Sequence, residues 1–236
     1  MAVNYVLAAD AAVVLGYKGT NEAVVKGLNK LSLPGAERTV LSFEEFRNEF
    51  SREFTGAGKY NEITGGGQYV LGDTDGQDAL RDGWMTRKVY TGAELMCFLD
   101  MENFFTTDLA NDPSSGIQVA SVASGEAGKN DAYPFTFKLV PNGRLAIYSA
   151  HLTEDATPTL AFVTSGGTKI TDSTNRLVTA GFKEGMTLLI IGSTSNDGVA
   201  ALIGTVAAGE MALTVKVGTL AAETGIENME LHGGRF

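Results

Sequence analysis

Residues 135–149 read Phe135-Thr-Phe-Lys-Leu-Val140, Pro141-Asn-Gly143, Arg144-Leu-Ala-Ile-Tyr-Ser149. Phe135, Phe137 and Leu139 alternate onto one face, and Leu145 and Ile147 do the same beyond the Pro141-Asn-Gly143 break. A period of two belongs to a strand with one side against a core. Asn142-Gly143 supplies the positive-φ positions of a tight turn. The stretch predicts a β-hairpin and sets the expectation of a mainly β chain.

Downstream, Thr153-Glu-Asp-Ala-Thr-Pro-Thr159 has a linker composition. Beyond Leu152 the aromatic residues are Phe162, Phe182 and Phe236 alone. These two features divide the chain into residues 1–152, a linker at 153–159, and residues 160–236. The last part carries short apolar runs at Leu160–Val163, Arg176–Val178, Thr187–Ile191, Val199–Val206 and Met211–Val217. Gly166-Gly167, Ser195–Gly198, Gly209 and Gly233-Gly234 punctuate them, the pattern of a small all-β barrel or sandwich.

Upstream, Asp75-Gly-Gln-Asp-Ala-Leu-Arg-Asp-Gly83 predicts one short helix, with Asp75 as cap and Gly83 as stop. The segment Ser42–Phe54 has two readings. Phe43, Phe46, Phe50 and Phe54 have helical spacing, and Ser42-x-x-Glu45 resembles a capping box. Phe46, Asn48, Phe50, Arg52 and Phe54 also alternate as in a strand. The glycines that follow (Gly56, Gly58, Gly65, Gly66, Gly67) fit a long hairpin arm and favour the strand.

Composition narrows the function classes. The chain has 236 residues and a formal net charge of -10, and both sides of the linker are acidic. Tight duplex binding needs a basic footprint, so a nucleic-acid binder is not expected. A single cysteine, Cys97, excludes a disulfide framework and a multi-cysteine zinc site. Cys97 sits in the apolar run Leu95–Leu99 and reads as a buried hydrophobe. The two histidines, His151 and His232, lie far apart with no triad partner near either in sequence. Asp73-Thr-Asp-Gly-Gln-Asp78 lacks the terminal Glu of a calcium loop and reads as a helix-capping loop. Gly65–Gly67 lacks the Lys-Ser/Thr of a phosphate loop and reads as a flexible hairpin segment. Catalytic, cofactor-binding and metal-ligating residues are therefore none, and no enzyme is expected. No apolar run approaches the length of a membrane-spanning helix, and the amino terminus does not have the form of a signal peptide.

One longer stretch is more specific: Phe54-Thr-Gly-Ala-Gly-Lys-Tyr-Asn-Glu-Ile-Thr-Gly-Gly-Gly-Gln-Tyr-Val-Leu-Gly-Asp73, followed by Gln77-Asp-Ala-Leu-Arg81. It resembles the major tail tube proteins of long-tailed, siphovirus-like bacteriophages. Val25-Lys-Gly-Leu-Asn-Lys-Leu-Ser-Leu-Pro-Gly35 resembles their first strand and exit turn, and Val140-Pro-Asn-Gly-Arg144 their late strands. Val178–Gly185 and Gly192–Gly198 resemble a β module that recurs in phage tail structural proteins.

The resemblance implies a tail-tube-type β-sandwich or barrel with one flanking helix at 1–152, and a small all-β outer decoration domain at 160–236. It implies a virion protein, made in the host bacterial cytoplasm, that forms hexameric rings stacked into a tube. Its partners would be further copies of itself, the tape-measure protein, and tail-tip and tail-terminator proteins. Phage DNA would cross the lumen without specific binding, and no membrane insertion is implied. An inter-subunit arm is expected within Phe43–Gly67, carrying Phe43, Phe46, Phe50, Phe54 and Tyr60. An acidic lumen wall is expected at Glu94, Asp100 and Glu102, which border the apolar run Leu95–Leu99. The alternatives are another tail-tip or capsid decoration protein, or a carbohydrate-binding β-protein.

Overall fold

The computed structural model describes residues 11–19, 22–32, 34–43, 52–100, 102–129, 131–154 and 157–235, with backbone alone for 36–43 and 52–58. Alternating sequence becomes strand almost throughout. In chain order the first strands are β1 (Ala12–Leu15), β2 (Ala23–Val24), β3 (Leu28–Leu31), β4 (Ala36–Phe43), β5 (Arg52–Tyr60) and β6 (Ile63–Gln68). The helix α1 (Gln77–Thr86) follows, then β7 (Val89–Tyr90), β8 (Leu95–Phe98), β9 (Phe104–Thr107), β10 (Gly116–Ser124), β11 (Pro134–Asn142) and β12 (Leu145–Thr153). The last seven are β13 (Leu160–Val163), β14 (Lys169–Asp172), β15 (Thr187–Ile191), β16 (Ala200–Ala207), β17 (Glu210–Val217), β18 (Glu223–Thr224) and β19 (Glu230–Arg235). The fold is mainly β, with one α-helix and antiparallel sheets among the described residues.

Three sheets result. One has the order β3-β6-β11-β10-β7, a second runs β18-β13-β14-β17-β16-β15-β19-β12-β9-β8-β1-β2, and β4 pairs with β5 alone. The expected hairpin at 135–149 is corrected here: both strands form, but they do not pair. β11 lies between β6 and β10, whereas β12 lies between β9 and β19 in the other sheet. The turn is captured from outside. The Arg144 amide donates to Ser115 Oγ at 2.7 Å and to Asp112 Oδ2 at 3.3 Å, while the Asp108 amide donates to the Arg144 carbonyl at 2.9 Å. Gly143, at φ 93°, lets the backbone bend that way. Phe135, Phe137 and Leu139 thus face Val13, Leu95, Cys97, Phe105 and Leu145 across a sandwich core.

The helix is displaced from its expected bounds. Asp75 does not cap it; the Asp73 carboxylate accepts from the Gln77 amide at 2.9 Å and from the Lys26 amide at 3.1 Å. Gly83 is not the stop but a buried position inside α1, where a Cβ would lie 2.1 Å from Tyr90 Oη. The helix ends at Arg87 in the left-handed region, φ 56°. Gln77 is fully buried and binds the Val70 amide and the Lys26 and Gln68 carbonyls, so α1 is bolted to the ends of β2 and β6.

Gly65–Gly67 is likewise not a flexible segment. It is the middle of β6, paired with Phe137, Thr136 and Phe135 of β11. A Cβ on Gly65 would lie 2.1 Å from the Phe137 ring. Gly65 makes room for that ring, Gly66 for the Lys30 side chain and Gly67 for the Gly27 backbone of the neighbouring segment.

In the carboxyl-terminal part the sheet curls. β18 stands five strands away from β15 in the order, yet its Glu223 carboxylate accepts from Ser193 Oγ at 2.7 Å and Asn196 Nδ2 at 2.7 Å, just beyond β15. The sheet therefore closes on itself around Leu160, Phe162, Ile170, Leu188, Ile190 and Met211. Arg176–Val178, expected as a strand, is a turn; Leu177 points into this core while Arg176 reaches back to Glu154 and Asp172. Gly233 and Gly234, expected as turn punctuation, lie inside β19, packed under Phe182 and Tyr148.

Strand pairing crosses the 153–159 stretch: β12 pairs with β19, and Ala150 and Leu152 share the core of residues 160–231. Glu154 is 1% exposed and accepts from the amides of Thr159 and Leu160 and from Arg176. Asp172 accepts from the Arg176 amide at 2.6 Å and from Thr159 and Thr174 hydroxyls. Burial alone would raise both carboxyls; the bonds from Arg176 and the local amides hold them below the usual carboxylate range.

Two outcomes are expected. Gly65→Val should lower stability by about 1–3 kcal/mol, seen as a melting point about 3–10 °C lower, because the Phe137 ring must move. Because Glu154 and Asp172 are depressed in the folded chain, the unfolded chain binds more protons in acid. Their contribution should be complete above about pH 5 and fall as pH drops below about 4.5, the ordinary value for Glu. Arg176→Met should cost about 1–3 kcal/mol at neutral pH and flatten this acid loss, measured by denaturant titration across pH 2–7.

Candidate functional site

No catalytic constellation forms among the described residues. Cys97 is buried in β8, and burial pushes its thiol up, away from the reactive thiolate. Thr153 Oγ1 lies 2.8 Å from His151 Nε2, but on an exposed strand surface, and no carboxylate orients the His151 ring. An open cleft of about 690 Å³ beside α1 is lined by Glu22, Asp75, Asp82, Glu94, Lys88 and Tyr90. It gathers carboxylates without a nucleophile beside a base.

The expected arm is partly described. β4 and β5 form a long two-stranded hairpin in register Phe43↔Arg52, Leu41↔Phe54 and Ala36↔Tyr60, and neither strand joins the other sheets. The strand reading thus holds at 42–43 and 52–54. Phe46 and Phe50 lie outside the described residues, as do the side chains of Phe43 and Phe54. Tyr60, at the base, packs against the sandwich core of its own chain. An isolated two-stranded ribbon buries little and gains stability only from a further surface.

The three acidic positions do not form one cluster. Glu94 precedes β8, where it caps a 3-10 turn by accepting from the Thr91 amide at 2.9 Å and pairs with Lys88 at 3.2 Å. Asp100 and Glu102 follow β8, roughly 20 Å away along an extended strand. Asp100 accepts from the Asn103 and Glu102 amides, and these bonds outweigh its partial burial, holding the carboxyl below its usual range. β8 itself is covered on both sides, Leu95 and Cys97 by the sandwich core and Met96 by Leu189 and Ile191. A separate apolar surface at the end of α1 exposes Trp84, Met85 and Val89.

Strand register brings together residues that sequence spacing kept apart. His151 of β12 lies directly opposite His232 of β19, with ring centroids 5.1 Å apart and planes 20° apart. Glu230 Oε2 is 3.0 Å from His232 Nε2 and accepts from Tyr17 Oη at 3.1 Å; Glu230 Oε1 is 2.9 Å from Lys18 Nζ. Burial would raise Glu230, but His232 and Lys18 bring it down to about 2. Burial lowers His232 and keeps the ring neutral at neutral pH. The only signal in the sequence was the Glu-x-His spacing at 230–232, which puts both side chains on one face of a strand.

No family model matches the chain, and no curated protein matches it. Several solved structures share its backbone in part. A chain from the virion of the native gene transfer agent particle aligns with a TM-score of 0.43 and 13% identity, covering 61% of this chain and 97% of that one. The cap that terminates the anti-feeding prophage tube gives 0.41 and 16%, covering 64% and 95%. A type six secretion system protein gives 0.34 and 9%, covering 74% and 99%.

Because Ala36 and Tyr60 face each other at the base of the hairpin, replacing residues 37–59 by a two-residue Asn-Gly turn should leave the rest folded. The expected melting point is within about 3 °C of the full chain, since this ribbon belongs to neither sheet. A large loss of cooperativity in calorimetry would make the hairpin part of the core.

Proposed function

We propose that this chain is a structural tail-type virion protein, a tube subunit that polymerises as stacked hexameric rings. The observation that carries the reading is the β4–β5 hairpin, a long ribbon paired with neither of the other sheets. A ribbon of this kind needs a second surface, and a neighbouring copy of the same chain supplies one at every step of a polymer. The resemblance of residues 54–73 to tail tube proteins supports the same reading, since it covers the outgoing half of that ribbon and the strand after it. So does the acidic balance of -10, which lets DNA pass a wall without adhering.

In this reading residues 43–60 carry the inter-subunit contact. Tape-measure, tail-tip and tail-terminator proteins are the other partners. Glu94, Asp100 and Glu102 add to a negative lumen from the ends of β8. Residues 160–236 form a module on the outside of the ring, joined to it through β12 and β19.

The test is negative-stain microscopy and sedimentation of the full chain at high concentration, beside the variant with residues 37–59 replaced by Asn-Gly. The full chain should give rings or tubes and the variant only compact particles with an unchanged melting point. Compact monomers from the full chain, or equal polymerisation by the variant, would overturn the reading.

A further inference from the structure

The chain has two histidines, and the fold places both in one cross-strand pair. Beside them stands Glu230, and one ligand atom from each of His151, Glu230 and His232 lies within 4.8 Å of the other two. The His232 ring is fixed between the edge-on Phe104 ring at 4.9 Å and the stacked His151 ring. Its Nδ1 is buried and has no hydrogen-bond partner, while the residue as a whole is 4% exposed. The ring nitrogen of His232 that faces Glu230 is Nε2, 3.0 Å from Oε2, and it is the nitrogen that a cation shared by the two residues would take. His151 is exposed and opens the cluster to solvent. Outer partners are also in place: Tyr17 Oη donates to Glu230, and the Thr153 hydroxyl meets His151 Nε2.

We propose that His151, Glu230 and His232 form a binding site for a divalent cation of the zinc class, with the fourth position open to water. Two imidazoles and one carboxylate suit a borderline cation and do not suit magnesium or calcium, which take oxygen ligands. A tetrahedral site needs ligand atoms about 3.3 Å apart, which follows from metal–nitrogen distances near 2.0–2.1 Å. Rotation of the exposed His151 side chain closes the gap, because His232 is held. The Lys18 ammonium is the resident counter-charge of Glu230 and the competitor of the cation. It is side-chain exposed by 25% and turns outward when the cation enters. Bound there, the cation ties β19 to β12 across the seam between the two parts of the chain. The proposal does not depend on the tube reading.

The test uses the full chain, purified without a histidine tag, titrated with Zn²⁺ by calorimetry and with Co²⁺ by visible absorption. One cation per chain should bind, Co²⁺ should give the strong visible bands of a four-coordinate site, and Mg²⁺ should give nothing. Zinc at a hundredfold excess over its Kd should raise the melting point by about 5–10 °C. His151→Gln, at an exposed position, should keep the metal-free melting point and lose at least about tenfold in affinity. Lys18→Met should tighten binding by removing the competitor. Absence of saturable binding up to millimolar Zn²⁺, or His151→Gln binding as tightly as the parent, would overturn the proposal.

Discussion

The structure depends on a single irregularity in one strand, the bulge at Ser149 in β12, where the register with β19 shifts between Tyr148 and Ala150. Before the bulge, Leu145 and Ile147 face the sandwich core, while Ala146 and Tyr148 face the opposite side. After it, Ala150 and Leu152 face the curled carboxyl-terminal core. One extra residue exchanges the faces of a strand. Both cores therefore lie on the same side of one continuous sheet. The other side carries an aromatic ladder: Tyr17 on Phe98, Phe98 on Phe104, Phe104 stacked on Tyr148 at 5.0 Å and against His232. Leu189 and Ile191 of β15 extend the same patch. β12 is thus the strand that neither part of the chain can lose.

Polar side chains complete what the sheets leave open. Glu154, Asp172 and Arg176 hold Thr159 and Leu160 beside β14, Glu223 closes the curled sheet onto the loop beyond β15, and Gln77 bolts the helix to two strand ends. In each case a carboxylate or amide, buried in Glu154, Asp172 and Gln77 and partly buried in Glu223, satisfies more than one backbone group. Next to Pro158, the Thr159 and Leu160 amides donate to Glu154 and the Thr159 hydroxyl to Asp172.

This economy sets the β4–β5 ribbon apart. Its two strands pair with each other and with no strand of the other two sheets, and Tyr60 at its base packs against the sandwich core. Its length and separation, together with the acidic charge, are what the tube reading rests on.

Sequence by itself determined the β class, one helix, read at 75–83 and found at 77–86, and strands read at 135–140, 144–149, 160–163, 187–191, 199–206 and 211–217, each of which overlaps a strand of the structure. It could do so because a period of two is a local property of each strand. It did not determine partners. Residues 135–149 carry every mark of a hairpin, yet Ser115 and Asp112 seize the turn and send β12 to the other sheet, a choice made by side chains outside the pattern. Gly65, Gly233 and Gly234 looked like breaks because their reason for being glycine, a ring of Phe137, Phe182 or Tyr148 lying across them, belongs to other segments of the chain. His151 and His232 gave no signal as a pair. Their meeting depends on the register of β12 against β19, and register is a property of the assembled sheet that no single strand encodes.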